Sequence, residues 1–248
     1  MLHDLTPEQQ VTLDGYLQDL VLESSDVKSF LAELAGFAAA SFAPTDPDML
    51  CGVTVIRRKR AATVAGSDET AYLLDELQNT FGEGPCLTAM REMRTVLVPD
   101  LRREHRWPEY IRAISGQGIG SVLGVPLLVE GETRASLNLY ASRTHAFTGA
   151  NIERAESFAA HASKSLRLAL KIANLSEARD NMIAAMQSRT TIDLAAGAIM
   201  AQNRCSQEAA MKILTAASNH RNVKLRDVAA SVVRSLTAEP AVRTHFEE

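Results

Sequence analysis

The spacing of apolar positions along the chain changes twice. Over the first forty residues they recur every three to four places: Leu13, Tyr16, Leu17, Leu20 and Val21, then Val27, Phe30, Leu31, Leu34, Phe37 and Ala38. That period predicts two amphipathic helices. The first opens on Thr6-Pro7-Glu8, with proline at the first helical position, and the second, over about 26–41, is broken by Pro44-Thr45-Asp46-Pro47-Asp48. From 49 to 148 the pattern turns to alternation and short β-rich runs. Strands are predicted over 49–56 and 60–66, joined by the basic turn Arg57-Arg58-Lys59, and over 96–98, 121–129 and 134–140, the last two meeting at a Gly131 turn. Helical stretches intervene at about 68–79 and 85–91. A strand-rich middle flanked by helices predicts an α+β domain, an antiparallel sheet with helices on one face.

From Asn151 the helical period returns and stays. No proline occurs between Pro126 and Pro240, and no glycine between Gly149 and Gly197. One stripe, Ala155, Ala159, Ala162, Leu166, Ala169 and Ala173, repeats in steps of four and three. A second, Leu168, Ile172, Leu175, Arg179, Met182 and Met186, does the same on another face. A helix over 151–187 follows, one stripe covering the sheet. The other is then free to meet a second copy through Leu168, Ile172, Leu175, Met182 and Met186. The alternative is a helix buried within its own chain. Three shorter helices are expected after Gln187: 191–203, one capped by Ser206 and ending near His220-Arg221-Asn222, and 225–236. Together they make a compact all-α bundle. The expected division is an N-terminal helix (1–25), a sheet domain (26–172), a helical domain with its linker helix (173–238) and a tail (239–248).

Composition narrows the function. With 248 residues, 46% apolar and 23% charged, the chain reads as globular. No apolar run reaches the ~20 residues of a membrane helix, and the N-terminal residues lack the pattern of a secretory signal. Cys51, Cys86 and Cys205 are far apart, which argues against a zinc or disulfide framework and fits a reducing cytoplasm. The six histidines are scattered, and there is no G-x-S-x-G, phosphate loop or H-E-x-x-H. The expectation is therefore a protein that is not an enzyme and carries no cofactor or metal. The net charge of −4 is unevenly spread: −5 over residues 1–174, +3 over 175–238 and −2 in the tail. Residues 175–238 also hold one glycine, no proline and no Phe, Trp or Tyr. A basic, ring-free module on an acidic carrier points to a nucleic-acid partner, although many solvated helical faces share that balance.

The middle segment resembles a GAF domain of the actinobacterial type. The resemblance rests on Phe81-Gly82-Glu83-Gly84-Pro85-Cys86-Leu87, Val98-Pro99-Asp100-Leu101, Arg106-Trp107-Pro108, Ser121-Val122-Leu123-Gly124-Val125-Pro126-Leu127, Leu137-Asn138-Leu139-Tyr140 and Ala146-Phe147-Thr148. The C-terminal segment resembles an ANTAR domain, a three-helix RNA-binding module of antitermination regulators. It does so through Ser188-Arg189-Thr190-Thr191-Ile192, Ala195-Ala196-Gly197-Ala198-Ile199-Met200, Ala209-Ala210, Leu214, Ala217-Ser218 and Asn222-Val223-Lys224-Leu225-Arg226-Asp227-Val228-Ala229. The resemblance implies binding of tandem stem-loops in a nascent transcript under control of a GAF sensor.

Given such a partner, Arg189, Arg204, Arg221, Lys224 and Arg226 are the candidates for phosphate contacts. Without aromatic platforms, base edges fall to Gln202, Ser218, Asn219, Asn222 or the backbone, with Gly197 open to close approach of a loop base, and stacking to His220 or an arginine plane. Bland readings stand beside these. Arg189 also suits the end of a helix, Asn222 a left-handed helix terminus, and Gly197 helix packing, the commoner reason for a mid-helix glycine that costs ~1 kcal/mol.

In the sensor half, Gly82-Glu83-Gly84-Pro85 is a turn whose amides could hold an anion. Cys86 just beyond it is a possible ligand or redox residue, if the helix start lowers its pKa; a buried, inert thiol is the plainer reading. The Asn-Lys…Phe…Asp-Glu pattern of cyclic-nucleotide-binding GAF domains is broken, since Leu139 follows Asn138 and Phe147 leads to Asn151-Ile152-Glu153. The small-molecule or redox signal is left unnamed. Two other readings compete: a cysteine-dependent GAF-fold reductase of methionine sulfoxide, and a DNA-binding regulator.

Overall fold

The computed structural model describes residues 7–57, 60–131 and 133–237; Thr6, Arg58, Lys59 and the tail from 238 lie outside them. Two compact units divide the chain, Met1–Ala173 and Asn174–Glu248.

In the first unit five strands form one antiparallel sheet: β1 (Leu50–Arg57), β2 (Arg60–Gly66), β3 (Val96–Val98), β4 (Ser121–Leu127) and β5 (Arg134–Ala141), in the order β2-β1-β5-β4-β3. Alternation along the strands assigns each side chain to a face. Cys51, Val53 and Val55 of β1, Leu123, Val125 and Leu127 of β4, and Ala135, Leu137 and Leu139 of β5 share one core with α1 (Pro7–Glu23), α2 (Val27–Phe42) and the start of α6. Val122 and Tyr140 point the other way. They meet Leu74 of α3 (Glu69–Phe81), Cys86 and Ala89 of α4 (Pro85–Glu92), and Tyr110 and Ile114 of α5 (Pro108–Ile114). Helices thus cover both faces, not one as the sequence predicts; α3 to α5 are short and interrupted, so their apolar stripes are weak signals.

Local chemistry sets the helix ends. Asp26 and Asp68 cap α2 and α3 by accepting from the amides of Ser29 and Ala71. Gly82, with φ 69°, ends α3 in the left-handed conformation that glycine adopts without strain. Trp107 is buried, its indole N–H donating to Thr88 Oγ1 at 3.1 Å, with the Arg106 guanidinium 4.4 Å over its ring.

Helix α6 runs without a break over Gly149–Asn203. The interruption predicted at Gln187 is absent. Thr190 and Thr191 turn their hydroxyls back onto the carbonyls of Met186 and Gln187, at 3.0 and 2.9 Å, so polar side chains that usually favour a turn are satisfied within the helix. The alanine stripe, Ala155, Ala159, Ala162, Leu166 and Ala169, is buried. By contrast Leu168, Ile172, Leu175, Met182 and Met186 are 43–66% exposed.

In the second unit α7 (Gln207–Arg221) and α8 (Leu225–Thr237) pack with the end of α6 around Ala195, Ala196, Ile199, Ala210, Leu214, Val228 and Ala229. The small residues let α7, α8 and the end of α6 close on one another around Leu214. Ser206 caps α7 by accepting from Ala209 N.

Candidate functional site

Most of the candidate nucleic-acid residues fall at the two turns that flank α7, while Arg189 and Gly197 lie within α6. Gln202 and Arg204 are exposed at the turn from α6 to α7, where Arg204 takes a left-handed φ of 51°. Arg221, Asn222, Lys224 and Arg226 surround the turn from α7 to α8. The two turns stand at opposite ends of α7, about 22 Å apart along its axis at ~1.5 Å per residue. Among the described residues, no carboxylate pairs with Arg204, Arg221 or Lys224, whereas Arg226 lies 3.5 Å from Asp227 and Arg189 3.8 Å from Asp193. All five cations are exposed.

Several bland readings can be decided. Arg189 caps no helix end, because α6 continues through it. Asn222 does close α7: at φ 51° its amide reaches the carbonyls of Asn219 and Ser218. Ser218 braces the same turn by donating to the Val223 carbonyl at 2.6 Å, which leaves its lone pairs to accept. The helix-packing reading of Gly197 is overturned: the residue is exposed, and a Cβ there would meet no atom within 4 Å. Nothing within the described chain uses the surface that this glycine leaves bare.

The sensor half is built differently. Gln78 of α3 closes the start of α4: its Oε1 accepts from Cys86 N at 2.8 Å and its Nε2 donates to Cys86 Sγ at 2.8 Å. Gly84 admits it, since a Cβ there would collide with Gln78. The amide at which an anion would dock is therefore occupied from within. Cys86 is 1% exposed, and burial pushes its thiol well up, opposite to the lowering a reactive cysteine needs. Cys51 is buried in the core on the other face of the sheet and is likewise pushed up. The two cannot act as a pair without rearranging the sheet between them, which counts against the reductase reading.

Sequence reasoning missed the polar cluster beside Cys86. Asp75 is 1% exposed, with Thr54, Gln78, Asn138 and Tyr140 buried around it. A signal was present: Ala71, Leu74, Asp75 and Gln78 follow the spacing of one helix face, so the two apolar members place the two polar ones inside. Beside α5 a groove of about 580 Å³ is lined by Leu101, Ile111 and Ile119 together with Arg102, His105 and Arg112. Its arginines are neutralised by Asp100 and Glu109, so it offers no clear anion site. Among the described residues, no group of three or more His, Cys, Asp or Glu could hold a metal ion, and no helix is long and apolar enough to cross a membrane.

The family model of the GAF domain matches residues 26–167 and that of the ANTAR domain residues 180–233. Similar solved structures include fRMsr of Staphylococcus aureus in its reduced form, at 16% identity and a TM-score of 0.44, covering 66% of this chain and 98% of that one. Free methionine-R-sulfoxide reductase from Neisseria meningitidis in complex with its substrate is similar at 16% identity, TM-score 0.45 and coverages of 71% and 98%. The GAF domain from Acinetobacter phosphoenolpyruvate-protein phosphotransferase is similar at 14% identity, TM-score 0.46 and coverages of 66% and 97%. No curated protein matches the chain. An ANTAR domain is an RNA-binding antitermination module and a GAF domain a sensor module. The chain belongs to the GAF domain family and carries an ANTAR domain behind its sensor.

Proposed function

We propose that this chain is a cytoplasmic antitermination regulator of the actinobacterial GAF–ANTAR type. As a homodimer, it grips tandem stem-loops in a nascent transcript according to the state of its GAF domain. The observation that carries the reading is the ANTAR unit, without Phe, Trp or Tyr over 175–238 and with Arg204, Arg221 and Lys224 exposed and free of carboxylate partners among the described residues. Phosphates are the natural ligands of such cations, and they supply affinity without sequence information. Loop bases are then read by Gln202, Ser218 and Asn222, with Arg189 and Arg226 at the margins and bare Gly197 allowing close backbone approach. The exposed stripe of α6 supports the dimer: its heptad spacing suits a second copy of the same helix, and a dimer presents two ANTAR units to two stem-loops.

The test is binding of the full chain to an RNA with two adjacent stem-loops, to either stem-loop alone, to unstructured RNA of equal length, and to duplex DNA. Tightest binding to the tandem RNA is expected. Equal affinity for unstructured RNA refutes the reading, and preference for duplex DNA replaces it with DNA recognition. Sequencing the transcripts that co-purify with the protein then identifies its targets.

A further inference from the structure

Asp75 stands on the side of α3 that faces the sheet. Its Oδ1 accepts from Tyr140 Oη at 2.5 Å and from Asn138 Nδ2 at 2.9 Å, and its Oδ2 accepts from Asn138 Nδ2 at 2.8 Å and from Thr54 Oγ1 at 3.0 Å. Gly52 lies against the same oxygen, where any Cβ would collide with it. Every donor in this set is neutral. The ionisable groups that face Asp75 are Tyr140 on β5, Cys86 on α4, Tyr110 on α5 and, on its own helix, Glu76, with Cys51 acting from the opposite face of the sheet, and no cation stands among them. A carboxylate sealed in a core without a countercharge is costly, and taking up a proton relieves that cost.

The surroundings are arranged to receive the change. Tyr140 Oη also accepts from Gln78 Nε2 at 3.0 Å. Next to it stands the buried Tyr110 hydroxyl, which interacts with Tyr140 but completes no hydrogen bond of ordinary geometry among the described residues. Its oxygen is left short of a full bond, and a buried polar atom in that state is uncommon enough to need a reason.

We propose that the GAF core is a proton switch. Mild acidification places one proton from solvent on Oδ1 of Asp75, and the new carboxyl group donates to Tyr140. Tyr140 keeps its own proton but redirects it to Tyr110 on α5. Charges and atoms balance: one proton enters, one negative charge disappears and no bond to carbon changes. The switch draws α5 toward β5 when protonated and releases it when ionised, so the GAF domain answers to pH whether or not the ANTAR domain binds RNA. Burial pushes the Asp75 carboxyl up to about 6, against the pull of the bonds from Tyr140, Asn138 and Thr54, with Glu76 adding to the rise.

The test is NMR titration of the full chain labelled with ¹³C at the aspartate carboxyl carbons, alongside tyrosine near-ultraviolet circular dichroism. One aspartate is expected to titrate near pH 6, to be missing in Asp75→Asn, and to share its midpoint with the tyrosine signal. In Tyr110→Phe, which keeps the packing, the same aspartate is expected to titrate at lower pH, because the protonated form exchanges an oxygen acceptor for the weaker Cys86 sulfur, 3.7 Å from Tyr140 Oη. If every aspartate of the unaltered protein titrates in the ordinary range near 4, the proposal is overturned. An Asp75 midpoint unmoved by Tyr110→Phe overturns the relay. Neither of these two outcomes depends on Asp75→Asn, so a failure of that variant to fold changes nothing.

Discussion

Replacing Met182 with glutamate tests the dimer through α6. Met182 is 66% exposed, in the middle of a stripe where Leu175 is 63% and Met186 64% exposed. Covering it with a second helix removes roughly 100 Å² of apolar surface, worth about 2.5 kcal/mol at ~25 cal/mol per Å². Both copies lose that contribution, so the dimer weakens by about 5 kcal/mol, a factor of several thousand or so in Kd. Two carboxylates brought together at the seam add to the loss. Asn181→Glu places the same charge one residue off the stripe and serves as control. Sedimentation equilibrium is expected to show dimers for the unaltered protein and for Asn181→Glu, and monomers for Met182→Glu at the same concentration. If Met182→Glu associates as tightly as Asn181→Glu, the stripe is not the seam.

Four further outcomes follow from the same geometry. Arg179 interrupts the exposed stripe and, among the described residues, pairs only with its neighbour Asp180, at 2.8 Å; Arg179→Leu should tighten the dimer by about tenfold or more by sedimentation, and an unchanged Kd would exclude it from the seam. Lys224→Ala should lower the slope of log affinity for RNA against log salt by about 0.7–0.9, one phosphate contact, and an unaltered slope would remove it from the interface. Leu214, 1% exposed at the centre of the ANTAR core, should cost about 2–5 kcal/mol on truncation to alanine, unfolding the second unit and abolishing RNA binding by circular dichroism and titration. Finally, the Asp75 carboxyl sits near 6 in the fold and near 3.9 in an unfolded chain. The native state therefore holds the extra proton, and stability falls as pH rises from about 4 to about 6, by about 3 kcal/mol. Urea unfolding of the unaltered protein against Asp75→Asn isolates this contribution; equal pH slopes would refute it.

Much of the fold is written in periodicities that survive without tertiary information. The alternation in β1, β4 and β5 is legible because each strand has an apolar set on one face, and the two α6 stripes are legible because neither proline nor glycine interrupts them. The unbroken run through Gln187-Ser188-Arg189-Thr190 is not, since those residues also suit a turn, and only their back-bonded hydroxyls keep the helix going. In the ANTAR unit the candidate cations are recognisable by type, but their separation to the two ends of α7 emerges only from the helix bounds. Asp75 is the hardest case. Beside Glu76 it reads as part of a solvated acidic pair, and what makes it exceptional is the glycine at position 52, twenty-three residues earlier, that clears room for it.

All four tyrosines, and the single tryptophan at 107, belong to the first unit, while residues 175–238 have no Phe, Trp or Tyr. Trp107, clamped between Thr88 and Arg106, is thus an intrinsic optical label for the sensor alone, with no emitter on the ANTAR helices to mask it. Fluorescence of the unlabelled protein can report whether an event at the C-terminal helices is felt in the sensor unit, without attaching a dye to either half.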